Sequence, residues 1–241
     1  MENFVYETPT KVYFGKGEEL NVGKIIAGYA PKKVLVHFGG QSARKSGLLD
    51  RVEKALEAEG IAYVELGGVT ANPELKLVRE GIALCQREGV EFVLAVGGGS
   101  VLDSSKDIAN GVANPDIDVW DFSLGKCVPQ KTLRKGAILT LAAAGSEMSN
   151  SCVITNVETN EKRGYGCSCN RMDFAVENPE LTYTVSPYQT ACGIVDIAMH
   201  TIERSFCPGE DTYLTDAIAA AVITNVMKAG KDCLDDTENY E

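Results

Sequence analysis

The chain has 241 residues, 44% of them apolar, and its mean hydropathy lies near zero, the composition of a packed soluble chain rather than a disordered one. Twenty-three basic residues against 34 acidic ones leave a net charge of −11. That field repels phosphate backbones and anionic membrane surfaces, so no nucleic-acid partner and no membrane partner is expected. The N-terminus lacks the basic start and apolar run of a secretory signal, and no later window holds enough uninterrupted apolar residues to span a bilayer. A cytoplasmic location is the expectation. Eight cysteines scattered through such a chain are expected as free thiols, and Cys167-Ser168-Cys169 has neither ordinary disulfide spacing nor the paired CxxC of a zinc site.

In chain order, a strand pair is predicted around Phe4–Tyr6 and Lys11–Phe14. Val34-Leu35-Val36-His37-Phe38 reads as a buried strand, and residues 42–59 as one helix ending at Gly60. Ala62–Leu66 is a strand, Glu74–Glu88 a helix with Leu75, Val78, Ile82 and Cys85 on one face, and Phe92–Val96 a strand. Such alternation predicts parallel strands joined by right-handed crossovers. A helix over Ser100–Ala113 and a strand over Ala137–Leu141 follow, and residues 150–176 read as short strands with a hairpin turn at Thr159-Asn160-Glu161. From Pro187 the pattern turns helical, with a second apolar helix over residues 211–229. The fold class is therefore α/β: a parallel-sheet dinucleotide-binding domain over residues 1–180, followed by the start of an all-α metal-binding domain over 181–241.

The strongest local feature is Gly97-Gly98-Gly99-Ser100, directly after a strand and opening a helix. Glycines allow close backbone approach, and the free amides and dipole of a helix start favour phosphate oxygens. Asp103, one turn onward, is either a helix-start carboxylate or a polar contact near the reactive end of a coenzyme. Gly39-Gly40-Gln41-Ser42 forms a second glycine turn, on the same edge of the sheet. Position 39 carries no carboxylate to repel a 2′-phosphate, which favours NADP over NAD. Asp196 and His200, four apart on a helix, share one face and could share one cation or simply bond to each other. His37, inside an apolar strand, reads as a core or edge histidine.

Taken together, Gly39-Gly40-Gln41-Ser42, Asn72-Pro73, Gly97 through Lys106, Gly145-Ser146-Glu147-Met148-Ser149, Asn178-Pro179 and Gly193 through Glu203 resemble the iron-dependent (group III) alcohol dehydrogenase family, in its butanol dehydrogenase and aldehyde reductase branch. The resemblance implies an oxidoreductase that moves a hydride between NADP (or NAD) and a small alcohol or aldehyde at Fe2+ or Zn2+. It implies coenzyme contacts at Gly39, Gly40, Ser42, Asn72, Gly97, Gly98, Gly99, Ser100, Thr140, Leu141, Ser146 and Lys162. Asp103 and Lys162 would give polar support to catalysis, and Asp196 and His200 would be two of four metal ligands. Leu141-Ala142-Ala143-Ala144 departs from the family, which often carries threonines there.

Family members continue well beyond residue 241, and the resemblance places two further metal-binding histidines in that stretch. The isolated chain is accordingly expected to hold metal weakly and to turn over little or no substrate. A non-catalytic nucleotide-binding remnant or incomplete gene product is the alternative, and a lyase or glycerol dehydrogenase of the same superfamily a nearer rival. The two C-terminal helices are expected to expose an apolar face, which a second copy in a homodimer could cover.

Overall fold

The structure, a computed structural model, describes residues 3, 5–206 and 212–240. Contacts divide it into two compact units: Thr8–Thr140 with Gly145–Asn178, and Pro179 onward together with Leu141–Ala144 and the first residues of the chain.

The larger unit is built on a six-stranded, all-parallel sheet in the order β1-β8-β5-β4-β2-β3. Its strands are β1 (Lys11–Phe14), β2 (Lys33–Phe38), β3 (Ala62–Leu66), β4 (Phe92–Gly97), β5 (Arg134–Leu139) and β8 (Phe174–Glu177). Strands β6 (Ser151–Asn156) and β7 (Glu161–Gly166) form a separate antiparallel hairpin, turning through the residues expected. All six residues of β4 are buried, as are Val34–His37 of β2, which is why both strands read as unbroken apolar runs: helices cover both faces. Leu35 and Val93 join one cluster with Val78, Cys85, Ile108, Trp120 and Phe122.

The connecting helices are α1 (Val22–Ala27), α2 (Ser42–Lys45), α3 (Leu48–Ala58), α4 (Leu75–Glu88), α5 (Gly99–Ala113) and α6 (Trp120–Ser123). The single helix expected over 42–59 is two. Gly47 adopts φ +70°, a left-handed conformation that ends α2 and redirects the chain into α3. The expected first strand fails for a different reason: Phe4 lies outside the described residues, while Val5 and Tyr6 belong to no strand and are exposed. Lys11–Phe14 instead pairs with Phe174–Glu177, about the full length of the unit away in sequence.

The smaller unit contains α7 (Pro187–Ser205), capped by the Ser186 hydroxyl accepting from the Gln189 amide, and α8 (Tyr213–Asp235). Residue 211 of the expected second helix lies outside the described residues. The two helices cross where Gly230 meets Ile194; a Cβ on Gly230 would stand 2.8 Å from that side chain. Gly193 lies against the Ala142 carbonyl, 2.5 Å from where a Cβ would sit. No described helix is long and apolar enough to cross a membrane. Seven cysteines are free among the described residues; Cys207 lies outside them.

Candidate functional site

Because the sheet is parallel, the turns after β2, β4 and β5 emerge at one edge, where ligands bind in open α/β sheets. Gly97 ends β4 and Gly98 caps α5 in an extended conformation, with no side-chain cap. The first bonds into the helix run from the Val101 and Leu102 amides to the Gly98 carbonyl at 2.9 and 3.2 Å. The Gly99 and Ser100 amides precede them and face outward from the helix start, a geometry suited to phosphate oxygens.

Val101 links the two glycine turns. A Cβ on Gly97 would collide with Val101 Cγ2 at 2.5 Å, and one on Gly39 would lie 3.8 Å from the same methyl. Gly39 is held in turn by the Gly68 amide, which donates to its carbonyl at 2.8 Å. A Cβ on Gly40 would meet nothing within 4 Å. On the other side, the Thr140 amide donates to the Gly97 carbonyl at 3.2 Å. The structure thus brings Gly39, Gly40, Ser42, Gly97–Ser100 and Thr140 to one edge.

Asn72 and Lys162 meet directly, the lysine Nζ donating to Asn72 Oδ1 at 2.8 Å. The contact follows from the hairpin. Thr155 of β6 pairs with Lys162 of β7, and the Thr155 amide donates to the Pro73 carbonyl at 2.9 Å, so the loop after β3 and the outer hairpin strand are drawn together. Asn72 takes φ +59°, which asparagine tolerates better than most residues.

Ser146 stands against the glycine turn, its Cβ 3.9 Å from a Cβ placed on Gly99. Its hydroxyl donates to Asp103 Oδ1 at 2.6 Å and accepts from Lys106 Nζ at 2.7 Å. Asp103 Oδ2 accepts from the Val153 amide at 3.1 Å. Lys106 is fully buried, and its remaining contacts are the Ser151 carbonyl at 2.7 Å and Asp103 at 3.4 Å. With its proton on Asp103 and one lone pair on Lys106, Ser146 presents only an acceptor to anything bound beside it. Lys106 escaped the sequence reading because a lysine one turn beyond an aspartate on a helix ordinarily signals an exposed pair. Deeper still, Tyr165 donates to Asp107 at 2.5 Å and burial pushes that carboxyl up to about 7, so the hairpin is clamped to α5 through a buried acid.

His37 is taken up by the core. Its Nδ1 donates to the Leu66 carbonyl at 2.7 Å, leaving Nε2 to accept from the Ser104 hydroxyl at 2.8 Å. Burial depresses its pKa to about 4, so the ring is neutral at ordinary pH.

The smaller unit holds Leu141 and, on α7, Asp196 and His200. The imidazole Nε2 lies 3.6 Å from Asp196 Oδ1, and both side chains are nearly half exposed. They border a groove of about 360 Å³ with Met199, Ile202, Glu203 and Phe206. A carboxylate oxygen and an imidazole nitrogen one turn apart suit Fe2+ or Zn2+ as donors. Two donors fall short of the three protein ligands usual in catalytic zinc sites, and among the described residues no group of three His, Cys, Asp or Glu could hold a metal.

An open parallel sheet whose carboxyl edge carries a glycine turn opening a helix is a Rossmann-like α/β fold of the nucleotide-binding type. The chain belongs to the iron-containing alcohol dehydrogenase family, whose model matches residues 9–179. It is 43% identical over its full length to the NADH-dependent butanol dehydrogenase A of Clostridium acetobutylicum, covering 61% of that protein. To the NADPH-dependent aldehyde reductase YqhD of Escherichia coli it is 36% identical, covering 62%. The crystal structure of NADH-dependent butanol dehydrogenase A from Thermotoga maritima superposes with a TM-score of 0.96 at 37% identity, over all of this chain and 60% of that one. The chain therefore spans about three-fifths of the length of the relatives it matches.

Proposed function

We propose that this chain carries the coenzyme-binding part, and two of the metal ligands, of an oxidoreductase that transfers a hydride between a nicotinamide dinucleotide and a primary alcohol or its aldehyde. The observation that carries the reading is the Gly97–Ser100 turn at the carboxyl edge, backed by Ser146, Asp103 and the buried Lys106. In this reading the Gly99 and Ser100 amides hold the diphosphate, and Asn72 with Lys162 closes over the coenzyme from the hairpin side. Gly39, Gly40 and Ser42 take the adenosine ribose, Thr140 and Leu141 line the cleft, and Ser146 offers an acceptor to a ribose hydroxyl or amide donor. Asp103 fixes the Ser146 proton and thereby its polarity. Asp196 and His200 would hold Fe2+ or Zn2+, which when bound supplies a Lewis acid for the alcohol or carbonyl oxygen.

NADP is proposed over NAD because Gly39 brings no carboxylate to the ribose; relatives named for NADH, at 37–44% identity, and one named for NADPH, at 36%, both occur. The net charge of −11 supports a soluble, cytoplasmic protein that does not bind nucleic acid. The two-donor count on α7 favours a second reading for the chain by itself: a nucleotide binder with little or no turnover. Isothermal titration with NADP+ and NAD+ tests the shared part. Gly99→Val is the informative variant, since its Cβ has ordinary clearance and folding should survive while close approach of a diphosphate is blocked. Affinity should fall at least about tenfold, the loss of one strong charge-assisted contact. Unchanged binding in Gly99→Val rejects the phosphate role of the turn. Butyraldehyde-dependent NADPH oxidation with added Zn2+ or Fe2+ then separates enzyme from binder.

A further inference from the structure

The outer hairpin strand, β7, is exposed along most of its length, and Tyr165 is its inward anchor. The Tyr165 ring packs 5.9 Å from that of Phe122, and its hydroxyl reaches a polar cluster on the inner face of α5. Asp107, Asn110 and Asn170 in that cluster are all but fully buried. Their donors are spent. Tyr165 gives its proton to Asp107 Oδ1 at 2.5 Å, and Asn110 Nδ2 donates to the Tyr165 hydroxyl and to Asn170 Oδ1, each at 2.8 Å. Asn170 Nδ2 donates to the Asn150 and Tyr165 carbonyls at 3.0 and 3.3 Å, and the Cys152 thiol is taken by the Asp103 carbonyl at 3.2 Å. Two buried acceptors, Asp107 Oδ2 and Asn110 Oδ1, are left without a donor among the described residues.

One proton corrects this count. An ionised Asp107 would be a buried charge with a single donor, which is costly, whereas the neutral acid supplies an O–H, and Asn110 carries its unpaired oxygen one helical turn onward on the same face. The titratable and charged groups that act on the carboxyl are Tyr165 from β7, Cys152 from β6, and Asp103 and Lys106 from α5 itself. Burial holds the phenol and the thiol above their ordinary values, so both stay neutral. Asp103 opposes ionisation; Lys106 favours it but spends its own donors on Ser146, Ser151 and Asp103. We propose that a proton on Asp107 latches β7 to α5 through Tyr165 and that its loss releases the strand, a pH-sensitive device that takes Lys162 of β7 away from Asn72. Burial raises the carboxyl from 3.8 to about 7, so the closed strand keeps its proton where the open one has lost it. Closure is therefore strongest at low pH, declines as pH rises between these values, and is weakest above about 7.

The test is amide exchange of this chain at about pH 6 and about pH 8, read as protection factors so that the intrinsic pH dependence of exchange cancels, in wild type, Asp107→Asn and Tyr165→Phe. Asparagine keeps the shape of the side chain and carries an N–H where the neutral acid has its proton, so folding should survive. Protection of the β6–β7 cross-strand amides should fall about tenfold more between the two pH values in wild type than in Asp107→Asn, the change that a carboxyl titrating at about 7 imposes. Tyr165→Phe removes the link and should lower hairpin protection already at the lower pH. A pH response in wild type within about twofold of that in Asp107→Asn, or hairpin protection in Tyr165→Phe equal to wild type at the lower pH, overturns the latch. Carbon NMR of the Asp107 carboxyl in wild type gives a reading that needs no variant to fold: titration above about pH 6 supports the latch, and titration below about pH 5 overturns it.

Discussion

At the scale of single residues, the larger unit holds buried polar groups, His37 and Lys106 among them, that find their partners inside the protein. His37 illustrates the energetic consequence. Its folded pKa of about 4 lies below the ordinary 6.5, so between these values the unfolded chain binds the extra proton. Stability from this group is therefore fully present above about pH 6.5 and is lost as pH falls toward 4. The window corresponds to about 3 kcal/mol at most. Urea unfolding across it should show a steeper loss in wild type than in His37→Gln; equal slopes would mean the ring is not buried neutral. Lys106 is the opposite case, a buried cation with every donor used. Lys106→Met removes the cation beside the partly exposed Asp103 and leaves the Ser151 carbonyl without its donor, and should cost about 1–3 kcal/mol in the same measurement, where a loss below about 0.5 kcal/mol would show the network to be incidental.

Among elements, helix packing is set by where one backbone can approach another. In α1, a Cβ on Gly23 would fall onto the Ala55 carbonyl of α3, a rigid backbone atom. In α5, a Cβ on Gly111 would meet the end of the Ile82 side chain on α4, which can turn away. Both substitutions to alanine gain about 1 kcal/mol of helix propensity, so the difference isolates the steric cost. Gly23→Ala should lower stability by about 1–3 kcal/mol, and Gly111→Ala by clearly less. Thermal unfolding of the two variants decides it, and equal midpoints would reject the distinction. The same contrast explains what could be read from sequence. Val34–Phe38 and Phe92–Val96 were legible because strands buried on both faces need apolar residues throughout. The glycine turn was legible because its chemistry is local. The break at Gly47 was not, since the left-handed φ depends on α3 packing as much as on the glycine. Nor was the Lys106–Ser146–Asp103 cluster, because Ser146 arrives from a loop forty residues on and nothing in the spacing announces that a lysine is buried.

For the whole molecule, the two units differ in what holds them. Residues buried in α5 run from Val101 to Gly111 with one exception, and β4 is wholly buried. In α7 and α8 only Gly193 and Gly230 are buried, while Met199, Tyr213, Leu214 and Met227 are more than half exposed. A helix that buries little apolar surface gains little beyond its own marginal propensity. Its amides should open at low free energy, independently of the sheet. Hydrogen exchange of this chain should therefore show β4 and α5 protected to near the global unfolding limit, with α7 and α8 exchanging at least about a hundredfold faster, a gap of roughly 3 kcal/mol. The apolar faces that leave α7 and α8 weakly held are also the surface a second copy would cover, which gives the measurement its control. If protection of these helices rises with protein concentration, self-association supplies the missing burial; equal protection of both units at every concentration would mean that the helices are held by something other than buried apolar surface.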